Sequence, residues 1–205
     1  MRRRFLSAVF AAVLATLAAA PAPAQTGDGK WVEPPKTLPK PQRGDPAQNL
    51  DFLFGALKVA PDAETAKAIE TRIWALWMVS RSDTANLLMT RVRTAVEAKD
   101  VDLAITLLDA IVKIKPDYVE AWNRRATIYY MKKDYGHALA DIGQVLKREP
   151  RHFGALSGLG IILQEIGDEK HALDVFRRAL AIHPHLERIP DLVKKLTDKV
   201  DGRDI

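Results

Sequence analysis

From Asn49 onward, apolar residues return with the period of a helix. Leu50, Leu53, Phe54 and Leu57 fall at i, i+3, i+4 and i+7, which predicts a short amphipathic helix. Pro61 ends it, and Asp62 stands where the cap of the next helix belongs. Ala66, Ile69, Ile73, Leu76 and Trp77 mark one face of a longer helix reaching to about Ser80. Near the other end, Ile189, Leu192, Val193, Leu196 and Val200 share one helical face while Lys194, Lys195 and Lys199 occupy the opposite one. No segment shows the period-two alternation of a strand, so the expected class is all-α.

Between these ends the pattern repeats. Asp100, Asp134 and Asp168 are separated by equal steps of 34 residues, and so are Ala104, Ala138 and Ala172, and Pro116, Pro150 and Pro184. Each column has a physical role. The aspartate precedes an apolar-periodic run, where its carboxylate caps free backbone amides, an effect of about 1 kcal/mol. The alanine lies one turn into that helix and lets a second helix approach. The proline cannot continue the hydrogen-bond ladder, so it closes the unit. Asp117 and Glu120 form a capping-box pattern at the start of the middle unit.

These columns resemble the tetratricopeptide repeat family, in the form carried by exported proteins of alphaproteobacterial type. Residues 119–152 show Trp122, Ala126, Tyr129, Ala138, Ile142, Val145 and Pro150. Residues 153–186 show Leu156, Leu159, Gly160, Leu163, Ala172, Phe176, Ala179 and Pro184. Residues 85–118 match more weakly, through Leu88, Val92, Ala95, Ala104, Leu108, Ile111 and Pro116. Arg91 and Arg125 depart from the pattern, which usually has leucine there. The resemblance implies a right-handed superhelical stack of antiparallel helix pairs, an α-solenoid. Residues 49–84 read as a degenerate leading pair that closes one end, 187–200 as a capping helix and 201–205 as a tail. It also implies a groove that holds another protein or peptide. The groove positions are Asn86, Met89, Arg93 and Val96 in the first unit, Asn123, Thr127, Tyr130 and Met131 in the second, and Ser157, Ile161 and Gln164 in the third. Among them Asn123 is suited to bond a peptide backbone and Tyr130 to stack on a side chain. The only basic residue in the set is Arg93, so the paired-carboxylate clamp of some family members is not expected.

The first residues follow a different logic. Arg2, Arg3 and Arg4 precede an uncharged apolar run from Phe5 to Leu17, and then Ala22-Pro23-Ala24. That is the order of a secretory leader, with cleavage expected after Ala24, an export route either general or twin-arginine, and a bacterial periplasm as destination. The alternative is a retained inner-membrane anchor facing the periplasm, although the run is short of the roughly 20 residues a spanning helix needs. Residues 25–48 carry Pro34, Pro35, Pro39, Pro41 and Pro46 and read as an extended, disordered tail with Trp31 within it.

Composition removes several functions. The chain has no cysteine, which excludes disulfides, thiolate metal sites, cysteine nucleophiles and a lipoprotein anchor. The net charge is +5; without residues 1–24, which hold three arginines and no acid, 28 basic residues face 26 acidic ones, a net charge of +2. Such a balance gives no electrostatic case for nucleic acid. His137 and His171 share one repeat position and read as structural. His183 and His185 flank Pro184 without a third ligand, so no metal is expected. Gly154, Gly158 and Gly160 fall in one helix rather than in a phosphate-binding loop, with Gly160 at a close-packing position. Trp74, Trp77, Trp122, Tyr129 and Phe176 sit at core positions. No cofactor and no catalytic constellation is expected. The chain reads as a scaffold for envelope assembly or integrity, with no membrane span once the leader is removed. The alternative is a membrane-anchored assembly factor for a secretion or cytochrome-biogenesis complex.

Overall fold

A computed structural model of the chain describes residues 46–200 and Gly202. The leader, Trp31, most of the proline-rich tail and the rest of residues 201–205 lie outside the described residues. Within them are nine α-helices: α1 (Pro46–Lys58), α2 (Ala63–Trp77), α3 (Asp83–Glu97), α4 (Val101–Ile114), α5 (Val119–Met131), α6 (Tyr135–Arg148), α7 (Phe153–Glu165), α8 (Glu169–Ile182) and α9 (Ile189–Val200). Pro46 opens α1, inside the stretch read as tail. Proline at the first helical position gives up an amide that has no intrahelical partner anyway.

The repeat columns act as their chemistry requires. Asp100, Asp134 and Asp168 are the N-caps of α4, α6 and α8, each accepting from the backbone amide three residues on. The residue before each cap has a left-handed backbone: Lys99 (φ 60°), Lys133 (φ 59°) and Gly167 (φ 88°). Only the third copy uses glycine, which takes that conformation without the cost of about 1–2 kcal/mol that a side chain incurs. Ala104, Ala138 and Ala172 are fully buried where the two helices of each pair cross. Pro116, Pro150 and Pro184 directly follow the C-caps Lys115, Glu149 and His183. Gly160 occupies the small position of α7: a Cβ there would stand 2.6 Å from Phe176 Cδ1, so the buried ring requires glycine.

Helices α3–α4, α5–α6 and α7–α8 are antiparallel pairs, and consecutive pairs join through α4–α5 and α6–α7. Helix α9 lies on α8, burying Ile189 and Leu196 against Ala172, Leu173 and Phe176. The expected capping box is not formed. Tyr118 is the N-cap of α5 and makes no side-chain cap bond, Asp117 binds Lys115, and Glu120 is buried with other partners.

The leading pair does not close the stack ahead of α3. Helices α1 and α2 build a core from Leu53, Phe54, Leu57, Ala66, Ile69, Ile73 and Trp77 that also takes in Phe153 of α7, with Ile182 and Leu186 against it. Asp51 binds Arg151 at 2.5 Å, and His185 Nε2 lies 3.0 Å from the Ala60 carbonyl. The pair therefore lies along the edge where α7 begins and α8 ends. At the other end of α2, Tyr118 donates to the Met78 carbonyl at 2.6 Å, and burial pushes that phenol up to about 12. The repeat register differs there. Helix α2 keeps a cap, Asp62, and a buried small residue, Ala66, but both stand 38 rather than 34 residues before Asp100 and Ala104, and no proline follows the helix.

Candidate functional site

Helix α2 becomes one wall of a cleft. Its Lys67, Glu70 and Trp74 face a cavity of about 930 Å³ whose floor is α7, with Gly154, Ser157, Ile161 and Gln164. Tyr130 and Glu165 border it on the side of the middle unit, and the α8–α9 link with Asp191, Leu192 and Lys195 of α9 closes the opposite side. A contiguous cavity of about 260 Å³ shares Tyr130, Ser157 and Ile161 and adds Asn123, Thr127 and Gly158 over Ala126, Ile142 and Ile162.

The wall is fixed by aromatic packing. The Trp77 ring stacks on His152, with centroids 4.0 Å apart and planes at 10°. Trp74 stands edge-on to Phe153 at 5.5 Å and reaches over Gly154, where a Cβ would sit 3.0 Å from the indole. His152 is the N-cap of α7: its Nδ1 accepts from the Ala155 amide at 3.0 Å. A neutral ring then carries its proton on Nε2, which faces Glu120 Oε2 at 3.5 Å. Buried Glu120 also accepts from Asn123 at 3.1 Å and lies 3.2 Å from Arg124 Nε. Further along α2, Glu70 accepts from the Trp74 indole at 3.0 Å, pairs with Lys67 at 3.1 Å and faces buried His183 at 3.5 Å. Burial raises the Glu70 carboxyl, but the bonds from Lys67 and Trp74 outweigh it and hold it below the ordinary value. Burial pulls His183 down, with Glu70 opposing.

The structure brings together six of the groove positions read from the sequence: Asn123, Thr127, Tyr130, Ser157, Ile161 and Gln164. It does not bring in the others. Asn86, Met89 and Arg93 line a separate cavity of about 320 Å³ with Met78 and Arg124. Asn86 is committed there: its side chain holds the Ser80 amide, hydroxyl and carbonyl at 2.9, 2.8 and 3.1 Å, fastening the link between α2 and α3. Arg93 lies 3.9 Å from Glu97 in an exposed pair. Met131 and Val96 are exposed and line none of these three cavities. Within the cleft, Tyr130 is held by its hydroxyl. It donates to Glu165 at 2.7 Å, Tyr135 donates to the same carboxylate, and these bonds hold the Glu165 carboxyl low. Ser157 donates back to the Phe153 carbonyl and Thr127 to that of Asn123.

Arg125 has a different task. Its Nε and Nη2 grip Asp141 at 2.8 and 2.7 Å, and its Nη1 reaches Asp109 at 2.6 Å. These bonds, that to Asp141 first, push the guanidinium still further toward its charged form. One side chain thus bolts α5 to α6 and to α4 of the preceding unit. Trp122 is half-buried rather than a full core residue, with its indole bonded to the Pro116 carbonyl at 2.9 Å and Arg125 and Arg148 over its ring. His137 and His171 bond the cap carboxylates of Asp134 and Asp168, a structural role. Among the described residues there is no group of three metal-ligating side chains, and no helix is long and apolar enough to cross a membrane.

A model of the tetratricopeptide repeat matches residues 89–142 and 134–187. A TPR repeat-containing protein of Rhizobium etli is 41% identical over 157 residues, which is 77% of this chain and 77% of the relative. The chain belongs to the tetratricopeptide repeat family. Solved members share the fold at low identity. The first TPR domain of Spaghetti (RPAP3), bound to the HSP90 peptide SRMEEVD, aligns with a TM-score of 0.55 at 18% identity, covering 58% of this chain and 95% of that one. The TPR2B domain of yeast Sti1, in complex with pHsp70, aligns with a TM-score of 0.53 at 15% identity, covering 58% and 99%. A tetratricopeptide repeat is a protein-interaction module, and the three pairs here form such a scaffold.

Sequence reasoning missed the α2 wall and the α8–α9 link. Lys67, Glu70 and Trp74 carry no repeat signature, and their place follows from where α1–α2 docks. One signal was available: Asp62 and Ala66 stand 38 residues before Asp100 and Ala104, so α2 falls outside the 34-residue register.

Proposed function

We propose that the chain is a non-catalytic adaptor of the bacterial periplasm that holds a segment of a partner protein in the cleft between α2, α7 and α9, in support of envelope assembly or integrity. The observation that carries the cleft is the docked α2: it converts a shallow repeat surface into a three-sided channel whose floor sets Ile161 beside Ser157 and Gln164, with charged rims. Ile161, Trp74 and Leu192 offer apolar contact, while Asn123, Gln164 and the rim charges offer hydrogen bonds, a mixture suited to a peptide main chain with alternating side chains. The leader-like residues 1–24 support export, and the absence of cysteine agrees with a fold that needs no oxidative step.

The test is a crosslinked capture from the organism's own envelope fraction, with the Asn123→Ala, Tyr130→Ala double variant and a Gly158→Leu variant that fills the smaller cavity. Both are first checked for native circular dichroism. A partner held by the native chain and lost by both variants supports the cleft; one retained by both moves the site elsewhere. Intact mass of the exported chain decides its attachment. A mass beginning at Gln25 supports the free periplasmic form, and a mass that includes residues 1–24 replaces it with an anchored one.

A further inference from the structure

Glu165 borders the cleft as a carboxylate without a paired cation among the described residues. It is the exposed last residue of α7. Its equivalents in the earlier units are Met131 and Glu97. Glu97 has Arg93 one turn before it, 3.9 Å away. One turn before Glu165 stands Ile161, so the third unit keeps the acid and lacks the base. Lys133 acts on Glu165 through space without forming an ion pair, and Lys132 is taken by Asp102 at 3.2 Å. The backbone adds to the same field. Helices α5 and α7 both end here, neither has a basic residue in its last turn, and the unpaired carbonyls of a helix end carry partial negative charge. An acid at a helix C-terminus opposes the helix dipole, so the stability of α7 does not account for Glu165.

The carboxylate is nonetheless held in place. Tyr130 donates to one of its oxygens at 2.7 Å and Tyr135 to the other. A carboxylate oxygen has two acceptor sites, so each keeps one open. The two half-buried rings lie against each other, with centroids 6.2 Å apart and planes at 27°. Tyr130 and Glu165 border the cleft, and Tyr130 also lines its smaller part. We propose that Tyr130, Tyr135 and Glu165 form a binding site for an arginine side chain, presented by the segment held in the cleft. The proposal rests on the cleft reading above and adds a charge to it: the segment is basic where it meets the ends of α5 and α7. The planar guanidinium offers paired N–H groups to the two open acceptor sites, and the adjoining aromatic rings attract its charge. An ammonium is a point charge without that fork, so lysine binds here more weakly than arginine.

Amide-resolved NMR titration of the full chain, as exported, tests this at low salt. The probe is N-acetyl-arginine methylamide, which carries a guanidinium and no terminal charge. The expected result is saturable, millimolar binding with shifts centred on Tyr130, Tyr135 and Glu165. The neutral isostere N-acetyl-citrulline methylamide should bind roughly tenfold more weakly. Glu165→Gln, which keeps an acceptor for a phenol and native circular dichroism, should lose about the same factor. The proposal is overturned by no saturable shift, by shifts centred elsewhere, by citrulline binding as well as arginine, or by Glu165→Gln binding the probe as the native chain does. The envelope capture separates this site from the cleft reading. A partner lost by the Asn123→Ala, Tyr130→Ala and Gly158→Leu variants but retained by Glu165→Gln overturns the arginine site and leaves the cleft standing. A partner retained by every variant, with probe binding still lost in Glu165→Gln, supports the arginine site and overturns the cleft as the partner's seat.

Discussion

Replacing Arg125 by leucine inserts the residue that the repeat pattern prefers, yet it should destabilise the chain. Asp141 is 3% exposed, and its carboxylate bonds two nitrogens of Arg125 at 2.7 and 2.8 Å. Removing the cation leaves a buried, unpaired carboxylate, which costs about 3–5 kcal/mol. The contact to half-exposed Asp109 adds little, because solvent screens it. The guanidinium also lies 5.0 Å over Trp122, an attraction of about 0.5–1 kcal/mol. At about 2–4 °C per kcal/mol for a domain of this size, the midpoint should fall by on the order of 10 °C. The double variant Arg125→Leu with Asp141→Val should recover. It installs the pair that the third unit already carries one period later as Leu159 and Val175, the latter buried. An apolar pair in place of a buried ion pair is neutral or stabilising by about 1–4 kcal/mol. Urea unfolding followed at the helical band, with slopes compared to confirm that the same surface unfolds, gives the full cycle. A single variant that loses under about 1 kcal/mol, or a double variant as unstable as the single, would refute the reasoning.

Other outcomes follow from the same structure. Gly160→Ala should cost about 1–3 kcal/mol, since its Cβ meets the buried Phe176 ring, whereas Gly143→Ala, with nothing within 4 Å on an exposed face of α6, should stabilise by about 0.5–1 kcal/mol; thermal midpoints of equal value in the two variants would contradict this. Acid should loosen the α2 wall. His183 sits below its ordinary 6.5, so the unfolded chain takes up the proton first and stability falls as the pH drops below about 6.5; Glu70 sits below its ordinary 4.5, so its contribution is present above that value and is lost as the pH falls through the lower folded value. The thermal midpoint should be level near neutrality and decline from about pH 6.5, His183→Gln should remove the upper part of the decline, and a midpoint unchanged down to pH 5 would count against it.

The repeat body was legible because its signals are local. Asp100, Asp134 and Asp168 cap the helices that follow them, and a cap is decided within four residues. Ala104, Ala138 and Ala172 mark crossings between helices joined by a short turn, so the chain itself sets the geometry. The six groove positions that converge belong to α5 and α7, whose stacking follows from the same columns. The capping box at Asp117 and Glu120 failed for the opposite reason. The spacing was right, but Glu120 is drawn into a buried cluster with His152 and Arg124, and His152 lies 32 positions further on.

What the sequence determined by itself is the set of helices and the way each pair closes, since capping, periodicity and chain stops act over a few residues. The tertiary structure alone decided where α1–α2 lies, and with it the cleft. Amphipathic periodicity says that Ile69, Ile73 and Trp77 must be covered, but burial of apolar area carries no address. The address came from contacts between distant parts of the chain: Trp77 on His152, Trp74 over Gly154 and Asp51 on Arg151. Each joins residues at least 75 positions apart, beyond the reach of any local rule.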